Sequence, residues 1–348
     1  MQLTKILNRD SNNLDIFRVI ASCMVVYGHA YAISPQIGQR DLVGALLGFD
    51  YSGSLGVKIF FFLSGLVVTN TLLENRNPVQ FAIARCFRIW PALLFTVFIC
   101  AFVLGPILTN SPLTEYFSNP ATYQYVYKNL LLSSTYYLPG VFSNNPLKDS
   151  VNGSLWSIPH EVAAYLVVLS LYLMRVFNTR ILAILLFSVI LVDPLMGNKL
   201  LLTWLPQNSE ITLLAPCFAF GSLLAIWKEQ ITIDNRLVLA LWAIYFIFKA
   251  STYNFYFLYA ALFISILHLS RLPMLVRHKP KVDISYGIYL WGFPTQQIIA
   301  SHFYEQGVIF NQMSSTLLCI AMGFVSWHFI EKKSIAIGAE VSKHFPKN

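Results

Sequence analysis

Read as runs of apolar positions, the chain divides into ten stretches separated by polar gaps. They cover residues 14–34, 55–73, 89–109, 155–175, 180–194, 210–228, 236–249, 252–270, 284–303 and 312–331. Several run about 18 residues or more, enough for a helix to cross a ~30 Å hydrocarbon layer. The fifth and seventh are the shortest. Pro, Asn, Gly and Ser punctuate the gaps, as at Asn77-Pro78, Asn110-Ser111-Pro112 and Asn145-Pro146. One connection is long, residues 106–154. It is rich in Tyr and Asn, residues that include the aromatic type suited to the headgroup zone, and a helix lying in the interface is expected near 121–133. No internal repeat or low-complexity tract interrupts the pattern. The prediction is an all-α polytopic membrane helix bundle of about ten transmembrane helices, forming one membrane domain over residues 1–348.

Composition agrees with that reading. Of 348 residues, 56% are hydrophobic and 11% charged, whereas soluble domains carry roughly a quarter charged residues. Lipid must therefore cover much of the surface. The polar start, MQLTKILNRDSNNLD, runs directly into the first apolar stretch, so no cleavable signal peptide is expected. The cysteines (Cys23, Cys86, Cys100, Cys217 and Cys319) lie mostly in apolar stretches with no CxxC pair and no metal-binding spacing. They read as small core residues, and no metal site is expected.

The net charge of +8 raises nucleic acid as a partner, but its distribution answers otherwise. With ten crossings and both termini cytoplasmic, the inner side carries 18 of the 24 basic residues. These are Lys5, Arg9, Arg18, Arg76, Arg85, Arg88, Arg175, Arg180, Lys228, Arg236, Arg271, Arg277, Lys279, Lys281, Lys332, Lys333, Lys343 and Lys347. The outer side carries 6, namely Arg40, Lys58, Lys128, Lys148, Lys199 and Lys249. The positive-inside rule expects this asymmetry. Topology explains the basic excess, and no nucleic-acid partner is expected.

Ionisable groups inside apolar stretches are costly unless they face a polar interior, which makes each a functional candidate. Arg18 and His29 lie 11 residues apart on the first stretch. At ~100° per residue they share one helix face, about 16 Å apart along the axis. The alternatives are a snorkelling Arg18 and a His29 engaged in a helix–helix hydrogen bond. Glu161, about 9 Å into the fourth stretch, reaches a depth similar to that of His29. A carboxylate there could set the imidazole tautomer or share a proton with it, or could simply pair with an Arg or a backbone group. His160 faces elsewhere. Arg85 and Arg88 share a face just before the third stretch and suit phosphate oxygens, or else lipid headgroups. Ser64, in Phe60-Phe61-Phe62-Leu63-Ser64-Gly65, is a small residue that lets a ligand or a helix approach closely, and stands as a donor-contact candidate. No base adjoins it, which argues against a nucleophile. Asp193 and Glu210 receive no role.

Several of these segments occur together in one family. The residues Asn13-Leu14-Asp15-Ile16-Phe17-Arg18 followed by His29 resemble the opening of the membrane-bound acyltransferase-3 family. Leu55 to Gly65 is similar to its second-helix motif, and Arg85-Cys86-Phe87-Arg88-Ile89-Trp90-Pro91 to its basic motif. Leu155-Trp156-Ser157-Ile158 with Glu161 and Tyr165 resembles its central segment. Ser285-Tyr286-Gly287-Ile288-Tyr289-Leu290-Trp291 with Pro294, and Phe329-Ile330-Glu331-Lys332, resemble its last two helices. The resemblance covers residues 13–333. Lys58 stands where an acidic residue is common, Gly292 where a His often follows Tyr-Leu-Trp, and Lys333 where Pro is frequent.

The resemblance implies a multi-pass O-acyltransferase of the cell membrane, by expectation the bacterial inner membrane. Its co-substrate would be acyl-coenzyme A, commonly acetyl-coenzyme A, with no tightly bound cofactor. Its acceptor would be a hydroxyl of a surface or secreted carbohydrate. By matching position, His29 would act in transfer with Arg18 as its essential partner, and Arg85 and Arg88 would meet the donor. Joined to the helix geometry, this yields an expected route. The donor docks from the cytoplasm, and His29, tuned by Glu161, either deprotonates the acceptor or carries the acyl group itself. A transporter or glycan flippase with Arg18, His29 and Glu161 along its path is the reading from another class. A structural or sensory membrane protein explains the buried ionisable groups least well.

Overall fold

The computed structural model of the chain describes residues 1–197 and 209–345. Lys199, Lys347 and the side chain of Glu210 lie outside the described residues. Among the described residues the elements are helices, with no named strand. In chain order the principal ones are α1 (Leu14–Ile33), α2 (Ser52–Asn75), α3 (Pro78–Ile99), α4 (Ser157–Leu173), α5 (Arg180–Val192) and α6 (Leu214–Ile226). They continue with α7 (Asn235–Ile247), α8 (Asn254–Ser270), α9 (Ser285–Phe303), α10 (Gly307–Ser326) and α11 (Lys332–Lys343). Each of the ten apolar stretches coincides with helix, and the expected helix near 121–133 is Pro120–Leu130.

Local chemistry sets several boundaries. The Asn12 and Asn13 side-chain oxygens accept from the amides of Leu14 and Ile16, which gives α1 capped amides at its first turn. Pro78 opens α3, where its missing N–H costs nothing. Asp234 caps α7 by accepting from the Leu237 amide at 2.9 Å. Two π-helical turns interrupt the α geometry, Cys100–Leu104 after α3 and Trp327–Glu331 between α10 and α11.

Among the described residues, five runs are long and apolar enough to cross a membrane: α1, α2, Pro78–Leu108, Gly153–Leu173 and the composite Ser285–Lys343, which holds α9, α10 and α11. Helices α6, α7 and α8 are apolar but shorter. The chain is a helical membrane protein. One boundary differs from the sequence reading. The third stretch was expected to begin at residue 89, with Arg85 and Arg88 ahead of it. Helix α3 begins at Pro78, so both arginines stand within it. A charged residue ends an apolar run but does not end a helix, and Arg is a good helix former.

The fold divides into two compact units, with α1, α2 and α4 running through both. The first comprises Met1–Ile20, Val57–Pro78 and Ala164–Lys281. Its core joins α2 and α8 through the stacked rings of Phe62 and Phe263, 4.2 Å apart, with Phe220 of α6 against both. A Cβ at Gly65 would collide with the Phe218 carbonyl, and one at Gly221 with that of Phe62. Two facing glycines thus let α2 and α6 touch backbone to backbone. The hydroxyls of Thr69 and Ser222 close the contact at 2.9 Å.

The second unit comprises Ala21–Gly56, Val79–Ala163 and Val282–Asn348. Helix α9 is its axis, buried along nearly all of its length from Ser285 to Ala300. It is tied to α1 by polar bonds to backbone. Ser22 donates to the Ser285 carbonyl at 2.7 Å, and the Gln296 amide to that of Val26 at 2.7 Å. On the α10 side, Gly287 and Gly323 bring the two helices into close approach.

Candidate active site

His29 lies in the second unit, one turn before the end of α1. Its ring meets Phe293 of α9 edge to face, centroids 5.4 Å apart. Close packing is possible because α9 presents Gly292 to Val26 of α1, where a Cβ would stand 2.9 Å from the Val26 methyl. The position of Gly292, where the family often has His, is therefore filled by helix–helix contact. The imidazole is half-buried, and its Nδ1 is sealed from solvent without a hydrogen-bond partner. Buried polar atoms are nearly always paired, so each exception calls for an explanation. Three more unpaired buried atoms lie on or beside α9, namely Trp291 Nε1, Gln296 Oε1 and Ser154 Oγ.

The connection before α4 is fastened to α9 by side chains that meet backbone. Gln297, fully buried, accepts from Asn145 Nδ2 at 2.7 Å and donates to the carbonyls of Leu147 and Ser150 at 2.8 Å each. Asn152 donates to the Leu290 carbonyl at 2.9 Å. Tyr289 donates to the Ser154 carbonyl at 2.7 Å and also meets the Ser157 hydroxyl. Gly153 fits beneath the Phe293 ring, where any Cβ would clash. Leu147 packs on Ile33, Phe293 and Ala300. The connection thus forms a pinned wall beside the Phe293 ring that touches His29.

Arg88 is the centre of a second cluster in the same unit. Its guanidinium donates to Asp283 Oδ2 at 2.7 Å and to Glu331 Oε2 at 3.0 Å. It also sits over the Tyr286 ring, 5.5 Å from the centroid. Asp283 uses its other oxygen to accept from the Ser285 hydroxyl at 2.6 Å and the Ser285 amide at 3.3 Å, anchoring the start of α9. The Glu331 side chain is 1% exposed, and its Oε1 accepts from Ser326 at 2.8 Å. Glu161 lies within electrostatic reach of Arg88. Arg85 is half-buried one turn earlier on α3. The imidazole of His160 meets the Trp156 ring at 5.8 Å, and both its nitrogens are buried and unpaired.

The remaining candidates belong to the first unit. Arg18 donates to Asp15 at 3.3 Å, and Lys279 approaches the other Asp15 oxygen at 3.9 Å. The Ser64 hydroxyl pairs with that of Tyr165 at 2.8 Å. The structure therefore brings Arg88 and Glu161 together in one cluster, and gives His29 an aromatic neighbour. Among the residues that sequence reasoning left without a role are Asp283, Phe293 and Gln297. Asp283 carried a signal: it is the one carboxylate between Asp234 and Glu305, directly before Ser285-Tyr286-Gly287.

Comparison with known proteins bears on this geometry. The profile of the acyltransferase-3 family, described as an acyltransferase domain, matches residues 11–330. An O-acetyl transferase of Shigella phage Sf6 is 26% identical over 333 residues, covering 93% of this chain and 96% of the phage protein. Nodulation protein 10 of Rhizobium leguminosarum bv. viciae is 27% identical over 158 residues, 44% of this chain and 42% of that protein. No solved structure matches the chain significantly.

Proposed function

Because this chain belongs to the acyltransferase-3 family, we propose that it moves an acyl group, acetyl by default, from acyl-coenzyme A to a hydroxyl of a surface or secreted carbohydrate. That it is a membrane acyltransferase follows from the family and from the apolar helices. Acetyl is favoured by the phage relative, whose name is O-acetyl transferase and whose match runs nearly end to end. The topology in this proposal has ten crossings with both termini cytoplasmic, in a bacterial inner membrane, following the distribution of Lys and Arg.

The observation that carries the chemistry is His29. Its half-buried imidazole has a sealed, unpaired Nδ1 and a hydrocarbon neighbour in Phe293. Among the described residues none pairs with that nitrogen, and in this reading the ring serves a substrate. In the proposed step His29 accepts the proton of the acceptor hydroxyl as its oxygen bonds to the thioester carbonyl carbon. The carbon–sulfur bond then breaks, and the proton passes from His29 to the departing thiolate. In this reading Arg18, about 16 Å along α1 from His29, and Glu161 are its partners in transfer, and Ser64 is a donor contact. The donor's phosphates meet α3 at the turn carrying Arg85 and Arg88.

A His29→Gln protein tests the reading. It is expected to insert and fold as the native chain does while transferring acetyl at least about 100-fold more slowly. The measurement is the acetyl mass increment on surface glycans of cells carrying either form. A variant that folds, inserts and acetylates at the native rate would refute the assignment.

A further inference from the structure

Arg88 has both terminal nitrogens committed, one to Asp283 and one to Glu331, and its flat face lies over Tyr286. A planar guanidinium suits this task, since it can hold two carboxylates in fixed directions where an ammonium cannot.

The Glu331 partner is placed by an unusual turn. Ser326 and Glu331 are five residues apart, which on an α-helix leaves side chains about 140° apart. The turn Trp327–Glu331 is π-helical, and i→i+5 closure brings those positions together. Their side chains meet at 2.8 Å. Without the extra residue in that turn, Glu331 would be rotated off Arg88. Such single-turn bulges are frequent at functional sites.

Asp283 reaches Arg88 from a different element. It holds the amide and hydroxyl of Ser285 with one oxygen and Arg88 with the other. Arg88 therefore joins three places: the donor-facing turn of α3, the start of α9, and the junction between α10 and α11. Helix α9 carries Phe293, the residue against His29.

We propose that Asp283 and Glu331 are positioning residues for acyl transfer, acting through Arg88 to fix α9 against α3. This deepens the acyltransferase reading and rests on it. Arg88 sets the register between the donor-facing turn and the helix beside His29.

The test is steady-state transfer from acetyl-coenzyme A by purified protein in lipid nanodiscs, with thermal unfolding measured alongside. Glu331→Gln and Asp283→Asn are expected to lower kcat about ten-fold with donor KM within about two-fold of native. Arg88→Lys is expected to behave like them. Arg85→Gln is expected to raise donor KM about ten-fold with kcat largely kept. A rise in donor KM for Arg88→Lys equal to that of Arg85→Gln would overturn the positioning role of Arg88. Native kcat in both carboxylate variants would overturn the positioning.

Two further measurements separate this inference from the reading beneath it. If the native protein shows no saturable dependence on acetyl-coenzyme A, the donor assignment fails, and the assignment of roles to Arg85 and Arg88 falls with it. The unfolding temperature covers the case in which Arg88→Met does not fold well. Arg88→Met strands two carboxylates, and the added Glu331→Gln change is expected to recover part of the lost stability. Strict additivity of those two changes would show that no clamp joins them.

Discussion

At the scale of the residue, the most informative side chains bond to backbone. Gln297 is the clearest case. A buried amide must satisfy its oxygen and both its N–H groups, and Gln297 does so with Asn145, Leu147 and Ser150. Replacing it by Leu leaves the Leu147 and Ser150 carbonyls without their partner, at about 1–3 kcal/mol for each buried group left unpaired, while Asn145 keeps its bond to the Gln297 backbone carbonyl. The expected outcome for Gln297→Leu is faster amide hydrogen exchange over residues 145–152, together with a lower unfolding temperature. Unchanged exchange there would show that the wall is held by Asn152 and Tyr289 alone. The His29 and Arg88 variants described above belong to this scale as well, because each removes one chemical property and keeps the volume.

At the scale of the element, helix positions were legible in the sequence and side-chain pairings were not. The stretch 14–34 is helix Leu14–Ile33, and 252–270 is Asn254–Ser270. Apolar runs of that length in lipid leave the backbone little choice but helix. The third apolar stretch begins at residue 89, but the helix that carries it begins eleven residues earlier, at Pro78, and takes in Arg85 and Arg88. What makes room for Arg88 inside the helix is Asp283 and Glu331, respectively 195 and 243 residues away in sequence. Such pairing depends on the finished packing and leaves no local signal. The π-helical turn at Trp327–Glu331 is equally silent, since an inserted residue has no composition of its own. Deleting Ile330 should regularise that turn and rotate the chain after it by about 100°. The expected result is native helix content by circular dichroism with transfer reduced at least as far as in Glu331→Gln. A tighter test of packing is Gly65→Val. The added atoms would meet the Phe218 carbonyl, and the protein should be recovered as aggregate in detergent size-exclusion chromatography. Gly38, with nothing within 4 Å of an added Cβ but a φ of +80°, is the contrasting site, where a substitution strains backbone without touching a neighbour.

At the scale of the whole molecule, composition carried the membrane character and the order of the motifs carried the family. The proposed topology makes a direct prediction. A reporter that fluoresces only in the cytoplasm should be bright when fused after residue 345, and one inserted at the Gln36–Gln39 turn should be dark. Both bright would remove an odd number of crossings from the scheme. Helix lengths have a further consequence, because α5, α6 and α7 have 13 residues each. At 1.5 Å per residue each covers about 20 Å, some 10 Å less than a typical hydrocarbon core. Wherever such helices cross, the bilayer must thin around them, and that deformation is set by the length of the surrounding acyl chains. With these crossings, as the proposed topology has them, the protein should unfold at a higher temperature in short-chain phosphatidylcholine nanodiscs than in long-chain ones, and the preference should weaken if α6 is lengthened by one turn of leucines.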